Sequence, residues 1–402
     1  MHVCLVKING WPDTFDERVQ VLASNVDHIS LVRPAFTEQR EPIGADNVTV
    51  HEIYPRRGES IDALWLHTLL FPLYVIQTVA ICSILLLRSA TRPDVLHALD
   101  YVLGGLAITI VGRIFNVPCV VSVRGLTEPR YKQMAVETGG LVPRVNYRIV
   151  SSIPRFVLPR VDAVVTKAAY QQEYLMGQFG IDVPIETIPT GVDFEVFDPE
   201  QIECGPIIDE VLDGRDRPAY TILHLGNLTE KKGLDRLVSL VEKSRQDLPE
   251  GLVFLTVGRF KTLAFEEQIR DRCDDLVDRI HLHPTPIPFD RVPELLACVE
   301  GVVLLSDSAH EGTPRVLQEA CAMERPIIAS DVAGIHEEFS GLSGCYLIDR
   351  FNEQDFREAV YEIIGGDLEM NRTEFQDRFD IHNNYAKYVD IYTTAIDNWE
   401  GD

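Results

Sequence analysis

One pattern, running through the chain twice, constrains it most: short apolar runs bounded by turn residues and separated by helix-like segments. In the first half Val3–Ile8, Ile29–Val32, Val48–Ile53, Val95–Leu99, Val117–Val123, Val161–Thr166 and Ile185–Pro189 read as strands, with a helix over Phe15–Ala23. In the second half Tyr220–Leu225, Val253–Val257, Ile280–Leu282, Gly301–Leu305 and Pro326–Ser330 read as strands. Helices at Leu234–Arg245, Phe265–Cys273, Val292–Cys298, Pro314–Ala322 and Phe356–Ile364 alternate with them. Buried strands alternating with helices imply a parallel sheet covered on both faces. A single core rarely grows past roughly 250–300 residues, so 402 residues patterned this way predict two α/β domains. The expected division is 1–195, an acidic linker at 196–218 holding Pro199, Pro206 and Pro218, a second domain at 219–380, and a helix at 381–402. That last helix is amphipathic and either caps the second domain or crosses back onto the first.

Sixty-two acidic against 37 basic side chains leave a net charge of −25, which argues against a general nucleic-acid binder. Lysine is scarce, and an acidic, lysine-poor surface suits concentrated salt, where carboxylates stay hydrated and their repulsion is screened. A halophilic origin is therefore expected. The eight cysteines stand singly, without a C-x-x-C pair, and read as small buried hydrophobes in a reducing compartment. The chain opens directly on a strand, MHVCLVKI, so no leader is expected and the protein is placed in the cytoplasm.

Leu64–Leu87 is long enough to span a bilayer, which takes roughly 20 apolar residues. It lies, however, between two strands that should share one sheet, and Pro72, His67 and Gln77 interrupt it. A helix packed on the sheet and dipping into the membrane interface is the expectation. From Tyr101 to Val161 the chain is locally basic, with Arg113, Arg124, Arg130, Lys132, Arg144, Arg148, Arg155 and Arg160 against Glu128 and Glu137. Arginines mixed with Val145, Tyr147, Ile149, Phe156 and Leu158 suit anionic headgroups or a lipid phosphate. The alternative is that they pair with acidic groups of the other domain.

The chemistry concentrates in Ser306–Glu337. A strand runs into a polar loop carrying His310 and Glu311, followed by Pro314 at the first turn of a helix, where a missing N–H costs nothing. Backbone N–H groups of Gly312, Thr313 and Arg315 then face the loop, and with the helix dipole they form a seat for a phosphate or a sugar hydroxyl. Glu319, two turns on, is placed to hold a diol such as ribose. A nicotinamide dehydrogenase is disfavoured, since no G-x-G-x-x-G follows the first strand.

The run E-G-x-P-x-x-x-x-E-A from Glu311, continued by R-P-I-I-A-S-D-V-A-G-I-x-E, resembles the donor-site signature of the retaining glycosyltransferase family 4. HLGNLTEKKG at His224–Gly233 is similar to that family's G-R-L-x-x-x-K-G stretch, and IPTGVDFEVF at Ile188–Phe197 to its I-P-N-G-V-D-x-x-x-F. PDVLHA at Pro93–Ala98, VDAVVTK at Val161–Lys167 and DERV at Asp16–Val19 match its N-terminal landmarks. The resemblance implies a GT-B fold, an α/β architecture of two Rossmann-like domains whose parallel sheets face across an interdomain cleft.

It also implies a hexose-type sugar moved from a nucleotide-diphosphate sugar with retention, and the basic, apolar face of the first half makes a membrane-linked lipid or glycan the expected acceptor. Glu311 would contact the donor sugar, and Lys232 would neutralise the diphosphate leaving group. Around them the donor site would comprise Gly226, Asn227, Lys231, Gly258, Arg259, His310, Gly312, Thr313, Pro314, Arg315, Val316 and Glu319. The acceptor would meet Asp16, Arg18, His97, Asp100 and Arg124. No cofactor or metal is expected beyond the nucleotide sugar as co-substrate, and the enzyme would sit peripherally on the inner, anionic face of the cell membrane. Asn227 stands where the family commonly has an arginine on the phosphates, with Arg259 and Lys231 as substitutes. Arg124 stands where many members carry a histidine, and could hold a phosphate on the acceptor instead. The alternatives are transfer to a soluble acceptor and a non-catalytic nucleotide-sugar-binding protein.

Overall fold

The structure is a computed structural model describing residues 1–8, 14–36, 43–57, 64–137, 139–306, 314–349, 351–366 and 370–401. The chain divides into two compact units, one formed by Met1–Pro189 with His382–Asp402 and the other by Thr190–Ile381.

The strands of the first unit are β1 (His2–Val6), β2 (His28–Phe36), β3 (Val48–Arg57), β4 (Val95–Ala98), β5 (Cys119–Val123), β6 (Ala163–Thr166) and β7 (Ile185–Thr187). Its helices are α1 (Thr14–Ala23), α2 (Leu64–Leu87), α3 (Leu103–Phe115), α4 (Thr127–Glu137), α5 (Leu141–Val157) and α6 (Ala169–Phe179). The strands lie in the order β3-β2-β1-β4-β5-β6-β7, every pairing parallel. The order reverses between β1 and β4, the point where doubly wound sheets open a crevice at their C-terminal strand ends.

The apolar segment Leu64–Leu87 is the crossover helix α2, joining β3 to β4 of the same sheet. Tyr74, Thr78, Cys82, Leu85 and Leu86 form its buried stripe. Leu73, Ile76, Ile84 and Leu87 form an exposed one at the complementary helical spacing. Among the described residues it is the single helix long and apolar enough, by length and composition, to cross a membrane. α2, α3 and α5 pack side by side.

The second unit holds β8 (Tyr220–Leu225), β9 (Leu252–Val257), β10 (Ile280–His283), β11 (Gly301–Leu304), β12 (Ile327–Ser330) and β13 (Cys345–Ile348). Its helices are α7 (Ile207–Val211), α8 (Leu234–Ser244), α9 (Leu263–Cys273), α10 (Val292–Ala297), α11 (Arg315–Ala322), α12 (Ala333–Phe339), α13 (Glu353–Gly365) and α14 (Arg372–Phe379). The strand order is β10-β9-β8-β11-β12-β13, again parallel, with the reversal between β8 and β11.

Two readings of the sequence need correction. The segment taken as a linker is built into the second unit, where Phe197, Ile207, Ile208 and Val211, with Val192 and Phe194 just before it, are buried with Leu295, Leu296 and Phe375. Its apolar residues have no period because they meet several different elements, and period is what exposes an element in sequence. The cysteines are not all single. Cys204 and Cys298 form a disulfide, with Cα atoms 4.6 Å apart across 94 residues of sequence. Such a pairing depends on where α10 packs and leaves no mark on cysteine spacing. Among the described residues Cys4, Cys82, Cys119, Cys273 and Cys321 are free and buried, as expected.

The final helix, α15 (Ile381–Gly401), returns to the first unit. Tyr385, Tyr388, Ile391, Tyr392 and Ala395 are its buried face.

Candidate functional site

In the second unit the reversal between β8 and β11 is framed by backbone. Gly226 (φ +136°) follows β8 directly and Gly258 (φ +149°) follows β9, and a Cβ on Gly258 would stand 1.7 Å from the Gly226 carbonyl oxygen. Gly226 N donates to Val257 O (3.0 Å) and Leu228 N to Arg259 O (3.0 Å), fastening the two loops together. Farther along, a Cβ on Gly233 (φ +80°) would lie 1.9 Å from Leu305 O, so the same loop also rests on the end of β11. Only glycine permits both the conformation and the approach. Arg236, buried beneath, donates from Nε to Leu305 O (2.8 Å) and from Nη2 to Glu230 O.

Lys232 sits at the end of a 3₁₀ turn, Glu230–Lys232, opened by Thr229, whose hydroxyl accepts from the Lys232 N–H (3.3 Å). The lysine is half-buried, while Asn227, Lys231 and Arg259 are exposed on the same loops. His224, inside β8, points Nδ1 at Val303 O (3.2 Å) and is held down at about 4, by burial first and then by the Lys232 charge, against the opposing Val303 carbonyl. It is a neutral imidazole beneath the lysine.

After β11 the described chain resumes at Pro314, which is buried and caps α11 in extended conformation (φ −66°, ψ 123°). The helix therefore begins at Arg315, and the proline stands just before the first turn instead of within it. His310, Glu311, Gly312 and Thr313 lie outside the described residues. On α11, Arg315 Nε donates to Glu319 Oε1 (2.7 Å), with both side chains largely buried. The Arg315 guanidinium also lies 4.5 Å from the Phe289 ring centroid. Val316 is half-buried on the same turn. The expected ribose carboxylate is thus oriented by its own helix, one turn away.

In the first unit, the C-terminal strand ends gather charge. Asp16 faces Arg33 (3.6 Å). Asp100, after β4, accepts from the N–H groups of Val102 (3.2 Å) and Gly104 (3.0 Å) at the start of α3, and burial raises its pKa. Arg18 and Arg124 both lie over the buried ring of Phe15, at 5.6 and 4.2 Å from its centroid.

His97 has a different setting. Its Nδ1 pairs with Tyr392 OH (2.6 Å) and its Nε2 with Ser122 Oγ (2.8 Å). Both ring nitrogens are committed inside the unit, leaving none for an acceptor, and burial drives the pKa down to about 3, with Lys167 and Arg124 adding to it. The histidine ties α15 to the sheet. Lys167 completes this network, donating to Tyr388 OH (3.0 Å) and Ile188 O (3.1 Å). A separate groove of about 290 Å³ lies between the start of β6, β7 and α15, lined by Asp162, Glu186 and Lys387. The groove runs along β7, the last strand of the sheet.

Residues 219–365 match the family described as Glycosyl transferases group 1, and residues 15–191 match the Glycosyl transferase 4-like domain. The chain is a GT4-type glycosyltransferase. Its two parallel sheets are the two halves of a GT-B fold. This transferase is 23% identical to the alpha-maltose-1-phosphate synthase of Mycolicibacterium smegmatis, over 68% of the chain and 69% of that protein. Among solved structures it superposes on sucrose-phosphate synthase from Thermosynechococcus elongatus with a TM-score of 0.74 at 15% identity, covering 98% of each chain. It also superposes on HepE of Anabaena in complex with UDP and glucose, at 0.69 and 15%, over 97% of this chain and 99% of that one.

Sequence reasoning passed over Lys7, Phe15, Lys167 and His224 in the transferase. A signal existed for two of them. Lys7 and Lys167, like Arg124, each follow directly on a run of strand residues, at the ends of β1, β6 and β5.

Proposed function

We propose that this transferase moves a hexose from a nucleotide-diphosphate sugar, with retention, to a lipid- or glycan-type acceptor carried on an anionic membrane. The donor would bind at the β8–β11 reversal of the second unit, with the diphosphate over the glycine-pinned loop and Lys232. Departure of the nucleotide builds negative charge on the leaving oxygen. A cation held on a rigid loop, aided by the N-terminus of α11, stabilises that charge more in the transition state than in the ground state. Glu311 would contact the sugar and Glu319 the ribose. The likeness to a structure solved with UDP and glucose supports a nucleotide sugar as the donor.

The observation that carries the membrane reading is the outer face of α2, α3 and α5. Ile76 is 64% exposed, Ile114 67% and Phe156 42%, with Leu73, Ile84, Val145 and Ile149 also exposed. Around them stand Arg113, Arg144, Arg148, Arg155 and Arg160, which make no ion pair among the described residues. Apolar side chains ringed by arginines suit insertion between anionic headgroups. We place the protein in the cytoplasm at the inner face of the membrane.

The test is nucleotide release from a panel of nucleotide sugars, in high-salt buffer, with and without a lipid extract. Release from one donor, raised by lipid and abolished in Glu311→Gln, is expected. Binding without release from any donor would favour the non-catalytic alternative. Charge reversal at Arg148 and Arg155 should release the protein from anionic vesicles, and unchanged co-sedimentation would remove the membrane from the proposal.

A further inference from the structure

The groove along β7 is walled by sheet residues on one side and by one face of α15 on the other, all within the first unit. Its floor is apolar: Ala163, Ile188, Ile391 and Ala395 are each exposed by 7% or less. Polar groups stand around that floor, Asp162 and Glu186 from the sheet side and Lys387, Asp390, Thr394 and Asn398 from α15. The helix positions 387, 390, 391, 394, 395 and 398 share the spacing of a single helical face, so apolar floor and polar rim are set by one element.

Part of the rim is held from behind. Asp162 Oδ2 accepts from the Cys119 N–H (2.7 Å) at the start of β5, and burial raises the Asp162 pKa against that bond and the Arg113 charge. Lys387 Nζ donates to Oδ1 of the buried Asn384 (3.1 Å). The Thr187 hydroxyl pairs with that of Thr166 (2.8 Å). Glu186, Asp390, Thr394 and Asn398 carry no side-chain hydrogen bond or ion pair among the described residues.

The charges decide what such a groove takes. Three carboxylates repel a phosphate or a nucleotide, and the Lys387 ammonium, on the same helical face as Asp390, opposes a cation seated between them. A neutral ligand rich in hydroxyls meets neither cost. Its hydroxyls donate to the carboxylates, which only accept, and receive hydrogen bonds from Lys387 and the Asn398 amide. Its C–H groups cover the apolar floor. At about 290 Å³ the groove lies at the small end of ligand pockets, with room for one sugar residue.

We infer that the groove between β7 and α15 is a carbohydrate-binding site for one neutral sugar residue, distinct from the strand-end residues of β1, β4 and β5. Its use rests on the transferase reading: it grips a sugar of a glycan acceptor away from the residue being extended. The site itself does not depend on that reading.

Saturation-transfer difference NMR on the full chain tests it, with the methyl glycosides of glucose, mannose, galactose and N-acetylglucosamine as probes. At least one should bind with a Kd on the order of 1 mM, the strength open to a ligand of this size. Glu186→Ala and Asp390→Ala, both at exposed positions, should each weaken binding about tenfold. Thr394→Trp, which fills the groove, should abolish it, while Lys232→Ala and Arg124→Gln should bind like the wild type. A signal lost in either of the last two but kept in Asp390→Ala would assign the sugar to another site and overturn the inference. Binding of spermidine in place of any glycoside would also overturn it, by making the groove a cation site, as would silence from every glycoside. Nucleotide release without glycoside binding would sink the groove alone. Glycoside binding without nucleotide release from any donor would leave the groove standing and remove the catalytic reading. With a disaccharide or longer acceptor, Asp390→Ala should raise KM and leave kcat unchanged; an unchanged KM would overturn the groove's use in the reaction.

Discussion

The two parallel sheets of this transferase share a strand order up to their last strand, yet they are finished differently at the edge where ligands bind. In the second unit the β8, β9 and β11 ends meet through main chain: Gly226 against Gly258 and Gly233 against Leu305. In the first unit the corresponding ends carry Lys7, Asp100, Arg124 and Lys167, and their spacing is set by side chains around Phe15 and by tyrosines of α15. A backbone-built edge tolerates almost no change, and under the proposed function it would hold the part of the donor that never varies, the diphosphate. A side-chain-built edge can be retuned by substitution, which would suit the proposed acceptor half.

Three experiments break or sharpen this contrast. The largest effect is expected from Gly258→Ala, because the new Cβ would overlap the Gly226 carbonyl and the loop would have to part. A destabilisation of about 3–5 kcal/mol is expected in chemical denaturation of the second unit. A near-neutral result would mean that the backbone contact does not define the edge.

Tyr392→Phe comes next. It removes the hydroxyl from His97 Nδ1 and leaves a buried ring nitrogen unsatisfied. A loss of about 1–3 kcal/mol is expected, confined to the first unit and visible as earlier protease release of α15. Equal loss in both units would refute the assignment of the helix to the first.

The third test, which reads only on acidification, is the pH response of His224 and His97, held at about 4 and about 3. Their native pKa values lie below the unfolded value, so the unfolded chain binds more protons as pH falls. Their contribution to stability is complete above about pH 6.5 and is lost on acidification, by up to about 1.4 kcal/mol per pH unit for each histidine. The slope between pH 6.5 and 4 should be shallower in His224→Gln. An unchanged slope would mean that the native imidazole already takes up a proton.

Much of the fold was legible because buried strands are short apolar runs with turns at both ends. β1, β4, β5, β8, β9 and β11 fall where those runs lie, within a residue or two. β13 was missed, since Cys345–Ile348 is only a few residues long and half-exposed at the sheet margin. Of the expected donor residues, Gly226, Asn227, Lys231, Lys232, Gly258 and Arg259 share adjoining loops at one sheet edge, because β8 and β9 are neighbours. For His97 the sequence suggested a strand-end ligand, but its partners Ser122 and Tyr392 are 25 and 295 residues away.

The division follows from range. Strand and helix identity, the twofold scheme and the family signature depend on neighbouring residues, and these the sequence determined by itself. The burial of 190–218 in the second unit, the return of α15, the Cys204–Cys298 pair and the gathering of cations on Phe15 depend on groups far apart in the chain. Their energy arises from desolvation and close packing once the sheets have formed. No local pattern encodes it, so only the tertiary structure decided them.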